Sequence, residues 1–83
     1  MNKVLVKLYV PMLGEQYDIW IPLNKRICNV IGLLVKAVNE FSDGYYQPTK
    51  MPNLYDKSTA KVYDVNLSVR QTAIRNGSEI ILI

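Results

Sequence analysis

The apolar residues along this chain change their spacing several times, and each change marks an element. From Lys3 to Val10 they alternate, with Val4, Val6 and Leu8 on one side and Lys3, Leu5, Lys7 and Tyr9 on the other. A period of two predicts a half-buried strand. Pro11-Met12-Leu13-Gly14 interrupts it with a turn, because proline fixes φ and glycine accepts positive φ. Alternation resumes from Glu15 to Ile21, with Tyr17, Ile19 and Ile21 on one side, which closes an N-terminal hairpin. Pro22 has no N–H for a ladder and ends the strand, and Asn24 is the expected cap of a helix. From there the spacing becomes helical: Ile27, Val30, Ile31, Leu34, Val35, Val38 and Phe41 fall on one face for about four turns. Ser42-Asp43-Gly44 supplies the stop, and the stretch to Asn53, with Pro48 and Pro52, has neither period and reads as a loop.

The second half is shorter in its pieces. Leu54-Tyr55-Asp56 and Lys61-Val62-Tyr63 flank Lys57-Ser58-Thr59-Ala60 and predict a tight second hairpin. Leu67 to Ile74 predicts a brief helical or 3₁₀ segment, Asn76-Gly77 a turn, and Ser78 to Ile83 a last strand. That strand is almost wholly apolar, as suits one paired on both sides. The order hairpin, helix, short hairpin, helical turn, strand predicts an α+β fold. Its last strand lies parallel to the first, in the middle of the sheet, so that the helix crosses one sheet face.

Composition narrows the class. At 83 residues the expectation is one domain spanning 1–83, and 49% hydrophobic residues are too many for a disordered segment. The apolar stretches fall short of the roughly 20 residues that span a bilayer, so neither a transmembrane helix nor a signal peptide is expected. A single cysteine, Cys28, excludes an internal disulfide framework and points to the cytoplasm. The net charge of +3 is spread from Lys3 to Arg75, which permits an acidic partner without indicating one.

Candidate chemistry is sparse. The chain has no histidine, the commonest general base and neutral metal ligand. Lys25 and Arg26 stand near Cys28, but a small apolar residue at the helix edge is the favoured reading of that cysteine. The seven carboxylates are scattered singly, and Gly14 and Gly77 are isolated turn residues and not parts of a phosphate-binding loop. The expectation is no enzyme, no catalytic residue, no metal and no cofactor.

The segments KVLVKLYV, RICNVIGLLVKAV, LYDKSTAKVYD and LSVRQTAIRNGSEIILI together resemble a ubiquitin-like, or β-grasp, domain over nearly the whole chain. The ending, Ala-Ile-x-Asn-Gly-Ser-x-Ile-x-Leu, is the most specific piece. Among short stand-alone members the resemblance is to the YukD-like proteins of Gram-positive type VII secretion systems. It implies a mixed sheet of four to five strands with one helix packed across one face. It further implies a bacterial accessory or regulatory component that binds the cytoplasmic part of a membrane secretion complex. Ubiquitin and its sulfur-carrier relatives act through a flexible Gly-Gly tail. Ile83 departs from that pattern, so conjugation and sulfur transfer are not the expected activity, and a ubiquitin-like or sulfur-carrier protein that works without Gly-Gly is a further alternative.

Alternation sends Leu5, Trp20, Ile81 and Ile83 to the sheet face opposite the helix. By the resemblance, Tyr55 aligns with the centre of the hydrophobic recognition patch, and Ile81 and Ile83 with its members on the last strand. Leu5, Trp20, Tyr55, Ile81 and Ile83 are therefore the expected protein-binding residues, facing a protein partner or a second copy of the chain. Lys3, Lys7, Tyr9 and Tyr55 also permit a nucleic-acid-binding regulator of β-grasp shape, with bases stacked on rings. Modest charge and intervening Leu and Ile favour protein. Tyr45 and Tyr46 either pack under the helix or touch a partner, and their spacing does not separate the two.

Overall fold

The structure, a computed structural model, describes residues 2–83. Strands β1 (Lys3–Val10) and β2 (Glu15–Pro22) form the antiparallel hairpin, in the register Val4↔Ile21, Val6↔Ile19, Leu8↔Tyr17. Its turn needs Gly14 at φ +65°. Helix α1 (Ile27–Phe41) follows, then β3 (Leu54–Asp56), a 3₁₀ turn at Val69–Gln71 and β4 (Glu79–Leu82). The sheet has four strands in the order β2-β1-β4-β3, with β4 parallel to β1 and antiparallel to β3. The last strand is central, as its apolar run predicts. The expected α+β architecture is the one found.

Periodicity explains the core. Val4, Val6, Leu8 and Val10 of β1, Ile21 of β2, Leu54 of β3 and Ile80 and Leu82 of β4 are buried against Ile27, Val30, Ile31, Leu34 and Val38 of α1. Val69, Ile74 and Tyr46 close the ends, and no polar or charged residue among those described is buried. Tyr17 and Ile19 are only half-buried because β2 is an edge strand. Phe41, at the end of the helical stripe, is 53% exposed and lies against Tyr17, ring centroids 5.3 Å apart.

Several local expectations are revised. Asn24 does not cap the helix: Arg26 holds the cap position and makes no side-chain cap bond. The first helical N–H groups, on Ile27 and Cys28, donate instead to the carbonyls of Leu67 (2.8 Å) and Val65 (3.1 Å). The returning chain supplies the acceptors a cap side chain would otherwise provide, and Asn24 Oδ1 accepts from the Arg70 guanidinium at 3.1 and 3.2 Å. The second arm of the short hairpin is a single bridge, Val62 to Tyr55, with Tyr63 N–H donating to the Leu54 carbonyl at 2.9 Å. Ala60 takes φ +60° to turn that arm. The helical segment contracts to three residues. The last strand spans Glu79–Leu82, although Ile83 still exchanges backbone bonds with Asn53 (2.7 and 3.0 Å). Tyr46 is buried at 2% exposure while its neighbour Tyr45 is 83% exposed, so the pair divides.

Candidate protein-binding face

The strand registers place the outer face of the sheet row by row. Tyr9 on β1 lies opposite Ile81 on β4, and Ile81 lies opposite Tyr55 on β3. Gln16 completes that row on β2. The next row reads Asp18, Lys7, Glu79, and the one after pairs Trp20 with Leu5. Of the five sequence-predicted residues, Tyr55 and Ile81 are direct cross-strand partners, and so are Leu5 and Trp20. A charged row separates the two pairs, so the stripe is two apolar groups and not one run. Tyr55 and Ile81 are half-buried, Leu5 sits at the margin of exposure and Trp20 is half-exposed.

The charged row is organised around Glu79. Lys57 Nζ lies 3.3 Å from Glu79 Oε2 and 3.9 Å from the centre of the Tyr9 ring, a cation–π distance. The Tyr9 hydroxyl donates to the same carboxylate oxygen at 3.0 Å. Tyr9 first, and Glu79 after it, raise the Lys57 ammonium above its usual range. Tyr9 and then Lys57 lower the Glu79 carboxyl. Both charges meet solvent, which screens the pair. The Tyr9 ring thereby becomes the floor of a fixed cluster beside Ile81. Spacing alone did not reveal Lys57 as a member, because the hairpin turn and not strand alternation brings it there.

Ile83 lies two residues beyond Ile81 and exchanges backbone bonds with Asn53, two residues before Tyr55. It lines a cavity of about 310 Å³ at the end of the sheet with Met12, Tyr46, Met51, Pro52 and Leu82. Tyr46 is held in that wall by its backbone, whose N–H donates to Ser42 Oγ and whose carbonyl accepts from Asn39 Nδ2, each at 2.9 Å. Met12 and Met51 were not anticipated as members of a site, since turn and loop residues carry no period. Among the described residues no group of three His, Cys, Asp or Glu side chains could hold a metal ion. No helix there is long and apolar enough to cross a membrane.

No protein-family model and no curated protein matches the sequence. Solved structures do. The whole chain superposes on the EccD5 ubiquitin-like domain from Mycobacterium xenopi with a TM-score of 0.83 at 17% identity, covering 94% of that chain. It matches the ubiquitin-like domain of the Mycobacterium tuberculosis type VII secretion system protein ECCD1 with a TM-score of 0.79 at 12% identity, covering 99% of it. It also matches a chain of the MycP5-free ESX-5 inner membrane complex in State II, with a TM-score of 0.81 at 16% identity, but spans only 21% of that chain. The chain has the ubiquitin-like β-grasp fold, and its structure resembles the ubiquitin-like domains of type VII secretion system proteins.

Proposed function

We propose that the chain is a ubiquitin-fold binding module of a type VII secretion system, an accessory or regulatory component that works in the cytoplasm through protein contacts. The observation that carries this reading is the full-length likeness to a domain within the ESX-5 inner membrane complex and to its isolated counterparts. On this reading the partner is the cytoplasmic part of a membrane secretion complex, and the chain has no catalytic residue or cofactor. The contact face is the outer side of the sheet. Tyr55 and Ile81 are its anchor, with Leu5, Trp20 and Ile83 at its margins. Half-buried aromatic and aliphatic side chains on a rigid sheet lose little conformational entropy when covered, which suits them to anchor a partner.

The test uses the double variant Tyr55→Ser/Ile81→Ser. Tagged chain is mixed with detergent-solubilised membranes of the source organism, and the recovered components of its type VII machinery are quantified. The double variant should recover at least about tenfold less, the cost of losing a contact worth roughly 1.4 kcal/mol or more, with its thermal midpoint within a few degrees of the parent. Equal recovery would remove this face from the reading, and recovery of no type VII component by the parent would remove the reading itself.

A further inference from the structure

We propose that the end of the sheet opposite the Ile83 cavity is a basic surface that binds a bilayer of anionic lipid headgroups. The proposal goes beyond the preceding section: it concerns a different surface and does not depend on which proteins the chain meets. In sequence the ten cations are spread along the chain, but the fold gathers five of them, Lys3, Lys25, Arg26, Arg70 and Arg75, and all five are exposed. Backbone bonds bring them together. Lys3, at the start of β1, is the register partner of Pro22 at the end of β2, and Leu23 N–H donates to the Asn2 carbonyl at 2.7 Å. Arg70 N–H donates to the Leu23 carbonyl and Val69 N–H to that of Lys25, each at 3.0 Å, while Arg26 bridges to Ser68. Arg75 belongs to the turn that meets β1 from the other side, where Leu5 N–H donates to Asn76 Oδ1 at 2.9 Å and Gly77 N–H to the Leu5 carbonyl at 2.8 Å.

Two features set this end apart from ordinary solvated charge. The first is its lack of compensating carboxylates. Residues 19–39 and 65–78, which supply four of the five cations, contain no Asp or Glu. Of the neighbouring acids, Asp64 accepts from Asn66 N–H at 2.9 Å and Asp18 lies across from Lys7. The Arg70 and Arg75 guanidinium groups donate to neutral oxygens, those of Asn24, Thr72 and Ile74. The second feature is the helix. The positive end of its dipole favours an acidic first turn, yet that turn holds no acid, and Arg26 occupies the cap position without a side-chain cap bond. Cations there cost local stability, and a local rule broken without a gain inside the fold marks residues whose use lies outside it. The occupant is therefore anionic, and the apolar side chains beside the cations choose among anions. Trp20, 50% exposed, and Leu5 stand across from each other, two residues in from Pro22 and Lys3. An indole beside lysine and arginine suits the headgroup level of a bilayer, with the ring at the interface and the charges on phosphates. A nucleic-acid strand needs a series of rings on which successive bases stack, and the two acid-free segments hold one ring, that of Trp20.

The probes are vesicles of phosphatidylglycerol mixed with phosphatidylcholine, vesicles of phosphatidylcholine alone, a poly-glutamate peptide and a single-stranded oligothymidine. Binding is read by co-sedimentation with vesicles and by the emission of Trp20, the chain's one tryptophan. The full chain should bind the phosphatidylglycerol vesicles, with Trp20 emission moving to shorter wavelength as the indole leaves water, and should not bind phosphatidylcholine. High salt should release it. Lys25→Gln/Arg26→Gln should weaken vesicle binding at least about tenfold, since each cation near an anionic surface is worth about a fivefold change. Lys50→Gln/Lys61→Gln, which removes the same charge outside this end, should stay within about twofold of the parent. The first pair should melt no lower than the parent, because it removes cations from the positive end of the helix. Equal binding to both kinds of vesicle, equal loss in the two variants or an unmoved Trp20 emission would overturn the proposal. So would a first pair that melts below the parent, which would mean that those cations serve the fold. Tighter binding of the peptide or the oligonucleotide than of the vesicles would also overturn it, making an acidic protein or a nucleic acid the occupant. None of these readouts uses Tyr55 or Ile81, so failure here is distinct from failure of the face described under Proposed function.

Discussion

Tyr45 and Tyr46 are neighbours in sequence with opposite fates, and the difference is set by bonds that no hydropathy pattern contains: Asn39 and Ser42 hold the Tyr46 backbone and turn its ring inward. Tyr63 shows what partial burial does to a phenol. Loss of water around the ring, and after it the negative charge of Asp56, push its hydroxyl from the usual value near 10 up to about 12. Asp56 is itself held low by the N–H and hydroxyl of Ser58, at 2.9 and 3.0 Å, so it stays charged beside the ring. The folded state therefore disfavours the phenolate. A group with a raised folded value stabilises fully below its unfolded value near pH 10, and that contribution is lost as the pH rises through about 12. An alkaline titration followed by phenolate absorbance should show a late step near pH 12 that Tyr63→Phe removes. Burial also raises Tyr46, so a second delayed tyrosine should persist in that variant. A parent titration without that late step would mean that the second hairpin does not shield Tyr63.

Elements were legible where one period ran long enough to repeat. The helix is the clearest case: the spacing of Ile27, Val30, Ile31, Leu34 and Val38 predicts an inward face, and all five are buried. Leu34, at 1% exposure in the middle of that face, has no room to relocate. Leu34→Ala should cost about 2–5 kcal/mol, the usual range for emptying a packed leucine site. Chemical denaturation should show this as a lower midpoint with an unchanged slope, whereas a loss below about 0.5 kcal/mol would mean the site collapses or is not core. Element ends were less legible because they depend on distant partners. Asn24 has the right chemistry for a cap, but the carbonyls of Val65 and Leu67 already occupy the helix N–H groups, about forty residues later in the chain. Phe41 has the right spacing for the core, yet it is left exposed and finds Tyr17 on the edge strand instead. Lys57 entered the outer face through a turn, outside any strand periodicity.

At the scale of the whole molecule, the strand order and register decide how the two proposed surfaces relate. Sequence alternation divided the inner from the outer face of β1, β2 and β4, while Tyr55 on β3 came from the resemblance; the separation between surfaces depends on which strands are neighbours, and that is fixed only when β4 inserts between β1 and β3. β1 starts and β2 ends at the basic end, whereas Ile81 and Tyr55 lie in the row of Tyr9. Along β1, Lys3 stands roughly 20 Å from that row. The charged row lies between Trp20–Leu5 and Tyr55–Ile81, so the Tyr55–Ile81 anchor stands apart from the basic end, although Trp20 stands at the margin of both surfaces. Sites that far apart without a common partner are additive within about 0.3–0.5 kcal/mol, or roughly a twofold change in affinity. Tyr55→Ser/Ile81→Ser should therefore leave binding to the phosphatidylglycerol vesicles within about twofold of the parent. Lys25→Gln/Arg26→Gln should likewise leave recovery of the membrane components through the outer face within about twofold. The variant that combines both pairs, measured in both assays, completes the cycle. A coupling above about 1 kcal/mol in either direction would mean that β1 and β4 shift as a unit when one surface is occupied, or that a single partner covers both surfaces at once.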